Sequence, residues 1–142
     1  MAGKKSREKG KRGERLWRDA LRAAGFEATR GAQHSGSPDS PDVSSPGLPI
    51  HWEVRFGRSA TLNAKLRQAI ADCGTRIPVV AYKSDREPWV VYLRANDFLG
   101  LLTKLYHYER SANQTRDGPV AAKGNSQIVN NEAQDLRESH IG

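Results

Sequence analysis

Three acidic residues, Glu14, Asp42 and Glu53, stand in settings where a carboxylate can do chemistry. Glu14 lies in a basic helical stretch, Asp42 closes a segment rich in Pro, Gly and Ser, and Glu53 falls within an alternating apolar run. Hard oxygen ligands drawn from separate elements suit Mg²⁺, with Mn²⁺ able to substitute. Such an ion keeps several waters, binds a phosphate oxygen and lowers the pKa of a bound water, which opens a phosphodiester to in-line attack near neutral pH. Taken singly, each acid is an ordinary surface carboxylate. Only their joint occurrence carries the chemistry. The single cysteine, Cys73, excludes an intrachain disulfide framework and a cysteine-rich zinc site.

The charge distribution names the partner class. The 142-residue chain has 23 Lys+Arg against 16 Asp+Glu, a formal net charge of +7. In residues 1–18 the cations Lys4, Lys5, Arg7, Lys9, Lys11, Arg12, Arg15 and Arg18 face only Glu8 and Glu14. A basic segment of this kind attracts a phosphate backbone by releasing condensed counterions, so nucleic acid is the expected partner and salt should weaken binding strongly. No run is long and apolar enough for a membrane span, and no apolar signal core follows the basic start. The expectation is a cytoplasmic protein, in the host cytoplasm if phage-encoded, with no membrane partner.

The elements that must hold the three acids can be read from periodicity. Leu16, Trp17, Ala20, Leu21 and Ala24 recur at helical spacing before Gly25, predicting a helix over about residues 8–24. Residues 26–30 read as a short strand and 31–49 as loop and turn. Ile50, Trp52 and Val54 alternate with His51, Glu53 and Arg55, a strand with one core face and one polar face. Glu53 and Arg55 must then point the same way. Thr61 is placed as an N-cap, Leu62, Leu66, Ala69, Ile70 and Cys73 form a helical stripe, and Gly74 ends it. Residues 78–83 and 89–94 read as neighbouring strands, and a helix from about Asn96 would turn Phe98, Leu101, Leu102, Leu105 and Tyr106 inward. Helices and strands alternate along the chain, and the expectation is an α/β fold with a small mixed five-stranded sheet flanked by helices. In this division residues 1–9 are a flexible basic arm, 10–109 the folded domain, and 110–142 a polar, flexible C-terminal tail.

Pro41-Asp42 followed by Glu53-Val54-Arg55 resembles the PD-(D/E)xK nuclease signature. Lys9-Gly10 with Glu14 upstream resembles the archaeal and phage Holliday-junction resolvase branch of that superfamily. The resemblance covers about residues 9–94 and includes Arg30, Ser35-Gly36 and Gln68. It implies a restriction-endonuclease-like fold in which Asp42, Glu53, the Val54 carbonyl and Glu14 surround a Mg²⁺ or Mn²⁺ ion. Glu14, Asp42, Glu53, Arg55 and Gln68 would then form the catalytic set. Lys4, Lys5, Lys9, Lys11, Arg12, Arg30 and Ser35 would contact DNA.

One position departs from the pattern. The family's lysine, which activates water or stabilises the pentacovalent phosphate, falls at Arg55. A guanidinium supplies charge and a two-pronged hydrogen bond, but its pKa above 12 makes it a poor exchanger of protons. Arg55 is thus a natural variant acting electrostatically, or the lysine role has moved to a neighbour such as Lys65, or the site is disabled and still binds. The leading expectation is a homodimeric, metal-dependent endonuclease that resolves four-way DNA junctions by paired nicks, since a two-fold junction needs two symmetric cuts. A related DNA repair or processing nuclease, and a non-catalytic DNA-binding protein, are the competing readings. Trp89, Val91, Phe98 and Leu101 are candidates for the dimer interface.

Overall fold

The computed structural model describes residues 2–31, 39–58 and 61–138, with side chains through residue 117. Its elements run α1 (Ala2–Ala23), β1 (Thr29–Arg30), β2 (Val43–Ser44), β3 (Ile50–Phe56), α2 (Leu62–Asp72), β4 (Ile77–Lys83), β5 (Val90–Tyr92) and α3 (Ala95–Glu138). The chain forms two compact units, residues 1–97 and 98–142.

The first unit is a five-stranded mixed sheet in the order β1-β2-β3-β4-β5, the α/β architecture expected from the alternation of elements. β3 and β4 are parallel, with Glu53 opposite Val80, while every other neighbouring pair is antiparallel. Parallel neighbours require a crossover, and α2 supplies it. α1 ends in a Schellman motif: Phe26 N–H donates to the Leu21 carbonyl at 3.0 Å, Gly25 N–H donates to that of Arg22 at 3.0 Å, and Gly25 takes a φ of 93°.

The core lies between α1 and one face of the sheet. Trp17 meets Trp52 edge-on at 5.0 Å between ring centroids and lies 4.9 Å from Trp89. Leu21, Val43, Val54, Val79 and Ala81 complete this cluster. The tryptophans are therefore packing residues, and Trp89 belongs to this core. Gly13 permits the close approach of helix and strand, since a Cβ there would stand 2.5 Å from Phe56 Cβ.

Several local expectations change. α1 begins at Ala2, so the basic residues assigned to an arm are helical. A two-residue strand, β2, lies in the stretch read as loop, because Val43 pairs with Arg30 on one side and Trp52 on the other, which joins β1 to the sheet. β3 is buried on both faces rather than one: His51 and Glu53, on the supposedly polar face, are covered, and α2 packs on this strand. α3 continues to Glu138, through the residues read as a tail. Its apolar positions Phe98, Leu99, Leu102, Leu105 and Tyr106 are exposed, where the sequence reading has Phe98, Leu102, Leu105 and Tyr106 on an inward stripe. Among the described residues no helix is long and apolar enough to cross a membrane.

Candidate active site

Asp42 sits just before β2, where its backbone joins the sheet: its N–H donates to the Trp52 carbonyl at 2.9 Å and its carbonyl accepts from Gly31 N–H at 2.9 Å. Its side chain reaches across to β3, with Oδ2 accepting from Val54 N–H at 2.8 Å. Two residues of the signature, Asp42 and Val54, are thereby fastened together. Glu53 projects from the other face of β3 toward α2 and is 2% exposed.

Lys65, on the first turns of α2, joins the two acids. Its Nζ lies 2.5 Å from Glu53 Oε2 and 3.5 Å from Asp42 Oδ2. The sequence places a cation at Arg55 on the strand; the fold brings a lysine to the same carboxylates from the helix that crosses over them. Arg55 itself is exposed.

Behind Glu53 stands His51, which is wholly buried. His51 Nε2 is 3.1 Å from Glu53 Oε1, and an Arg76 guanidinium nitrogen is 3.5 Å from His51 Nδ1. Arg76 can only donate, so Nδ1 is the acceptor and Nε2 carries the proton that it gives to Glu53. Sequence reading missed His51. Its signal was the period-two spacing that sets it on the Glu53 face of β3.

The electrostatics follow from this packing. Burial is the main force pushing the Asp42 carboxyl up from 3.8 to about 6; Glu53 and Glu14 add to it, and Lys65 and the Val54 N–H oppose it. Burial also pushes Glu53 up, but the hydrogen bond from His51 and the Lys65 ammonium beside it outweigh that and leave it below the usual range. Lys65 is pushed down by burial and up, more strongly in sum, by Asp42 and Glu53, so it stays protonated. One fixed carboxylate, one carboxylate poised near neutrality and a permanent ammonium therefore share one spot.

Glu14 lies on α1, buried, and its Oε2 receives two bonds from Arg30, at 2.7 and 3.0 Å. It acts on Asp42 through space. Among the described residues no group of three His, Cys, Asp or Glu stands close enough to hold a metal. The donor set that does converge is Asp42 and Glu53, and a pair of carboxylates is a usual protein contribution to a Mg²⁺ site completed by water and phosphate. Glu53 Oε2 fits that role, being buried with no hydrogen-bond partner of good geometry and only the ion pair with Lys65.

A solved structure of Hjc, a Holliday junction resolvase from the archaeal hyperthermophile Archaeoglobus fulgidus, is similar to this chain. The two share 27% sequence identity with a TM-score of 0.43, over 58% of this chain and 73% of the other. No family model and no curated protein matches the chain.

The remaining expected site residues are scattered. Gln68 is exposed on α2. Lys4, Lys5, Lys9 and Arg12 are exposed along α1, and Lys11 lies 3.9 Å from Glu8. Arg30 is committed to Glu14. Ser35, with neighbouring His34, lies outside the described residues.

Proposed function

We propose that the chain is a metal-dependent DNA endonuclease whose site is Asp42, Glu53 and Lys65. The observation that carries this reading is the convergence of Lys65 Nζ on both carboxylates, with Glu53 held in a buried setting by His51. Nothing in the needs of a core explains a buried acid with two cationic or polar partners; apolar residues of the same volume serve stability as well.

Asp42 and Glu53 would hold the divalent ion, which when bound supplies Lewis-acid polarisation of a phosphate oxygen and a water of lowered pKa. The chain's own groups do the rest. Val54 N–H and His51 Nε2–H fix the rotamers of the two ligands, so the acids are in place before substrate arrives. Lys65, kept protonated, presents positive charge and a hydrogen-bond donor to the phosphate at the spot where the acids meet. Lys65 in this reading has taken over the lysine function, and Arg55 on the strand is an accessory cation. A direct Lys65 contact to both acids supports an active site over a disabled one.

The finer reading is a resolvase acting on four-way junctions as a homodimer with Mg²⁺, Mn²⁺ substituting. Each chain carries one such site, so paired cuts require two copies. The exposed apolar stripe of α3, Phe98, Leu102 and Leu105, supports a second copy as partner. The test is incubation with a labelled four-way junction and a matched linear duplex in Mg²⁺, Mn²⁺ or EDTA. Symmetric nicks confined to the junction and abolished by EDTA are expected. Equal cutting of the duplex would replace junction resolution with general DNA processing, and tight binding without cuts in either ion would overturn the catalytic reading.

A further inference from the structure

The turn that joins β4 to β5 contains a residue at odds with its backbone. Arg86 takes a φ of 66°, the left-handed conformation that glycine adopts freely and that costs any other side chain, more so away from Asn and Asp. Arg86 is the only non-glycine residue in that conformation among the described residues. Ser84 and Glu87 close the turn, with Glu87 N–H donating to the Ser84 carbonyl at 3.3 Å. Strain held at a single exposed cation points to a task for that cation.

Arg86 lines an open cleft of about 850 Å³ together with Arg58 and Tyr82. A second cleft of about 440 Å³ lies against α1 and is lined by Lys9, Arg12, Arg15 and Phe56. Asp85 borders both. The α1 cations here are held in place: the Arg12 guanidinium stacks over the Phe56 ring at 5.7 Å, and the Lys9 side chain lies on Gly57, whose φ of 100° and missing Cβ leave the space it fills. Across the two clefts five cations, Lys9, Arg12, Arg15, Arg58 and Arg86, outnumber the carboxylates Glu8, Asp85 and Glu87.

These clefts are not the candidate active site. Asp42, Glu53 and Lys65 line neither of them. β3 connects the two places. Phe56 is three residues beyond Glu53 on the same strand, about 10 Å along it.

We infer that the cations of α1 and Arg86 of the β4–β5 turn form a second phosphodiester-binding cleft, which seats the DNA backbone beside the candidate active site. The inference rests on the nuclease reading for the identity of the polyanion. Arg86 in this assignment is a clamp residue retained against its own backbone preference, and Arg12 is a stacked, pre-oriented guanidinium, the form of cation best suited to phosphate.

The test separates strain from function. Arg86→Gly relieves the backbone and removes the cation, so it should melt at or above the wild-type temperature and yet bind DNA more weakly. Binding of a labelled linear duplex is measured in EDTA across a salt series for the wild type, for Arg86→Gly and for the triple variant Arg12→Gln, Arg58→Gln, Arg86→Gly. The slope of log K against log salt should shrink by about 0.9 for each phosphate that the protein no longer neutralises. Wild-type binding with an unchanged slope in the triple variant would overturn the cleft and leave the nuclease reading standing. A wild type that binds no DNA would overturn both.

Discussion

Replacing Asp42 with Asn tests the electrostatics of the site without touching its shape. In the folded chain Asp42 titrates near 6 rather than 3.8, chiefly because it is buried and stands beside Glu53. Between pH 4 and pH 6 the folded state therefore keeps a proton that the unfolded state has released. Stability contributed by this group must fall as pH rises through that interval and stay low above it. At about 1.4 kcal/mol per pKa unit, the full shift corresponds to about 3 kcal/mol. The asparagine amide keeps an oxygen to accept from Val54 N–H and has no charge to desolvate. In EDTA, the melting temperature of Asp42→Asn minus that of the wild type should be near zero at pH 4, grow up to pH 6 and level off above it. At about 4 to 8 °C per kcal/mol for a domain of this size, the plateau is about 10 °C or more. Carboxylates remote from the site titrate alike in both proteins and cancel in the difference; Glu53, which acts on Asp42, contributes a smaller change of its own. Millimolar Mg²⁺ should raise the wild-type melting temperature and leave the variant unmoved, while the variant loses cleavage. A variant less stable than the wild type at pH 8 without metal would refute the reasoning, since Lys65 would then stabilise ionised Asp42 by more than burial and Glu53 cost it.

Lys65→Met leaves Glu53 buried beside an uncompensated Asp42; it should lower stability by about 3 to 5 kcal/mol in denaturant unfolding and reduce single-turnover cleavage by about 100-fold or more. Lys65→Arg, which keeps the charge, should recover most of the stability and little of the rate. Arg55→Lys should change the cleavage rate by less than about threefold, because Lys65 already occupies the acids; a tenfold rise would return the lysine role to the strand. His51→Ala should weaken Mg²⁺ binding, read by calorimetry, by about 10- to 100-fold through loss of the hydrogen bond that orients Glu53. His51→Gln, which can still donate to Glu53, should restore part of it.

The ends of α1 and α2 were legible because Gly25 and Gly74 mark them, and both take positive φ. The alternation in residues 50–56 located β3, and the tryptophans fell in the core that their periodicity implied. β2 was not legible. Two residues cannot show a period, and the strand exists because Val43 has Trp52 to pair with. The covering of Phe98, Leu102 and Leu105, which are exposed, was not legible for a related reason: a stripe of apolar residues specifies that a face is to be covered and carries no information on what covers it.

The site divides along the same line. By itself the sequence singled out the candidate acids and determined the strand: Asp42 and Glu53 stand out by their flanking residues, and an extended β3 sends Glu53 and Arg55 to one side. It also determined that a helix would follow, since the stripe ending at Cys73 and Gly74 needs only local spacing. Which cation meets the acids was a matter of tertiary structure. A strand neighbour two residues away is fixed by local geometry, but Lys65 reaches Glu53 only because α2 crosses back over the parallel pair β3 and β4. The same crossover covers His51, and it is burial that moves Asp42 toward neutrality while His51 and Lys65 hold Glu53 ionised. Residue type states which groups can ionise; only packing sets what surrounds them, and with that their charge.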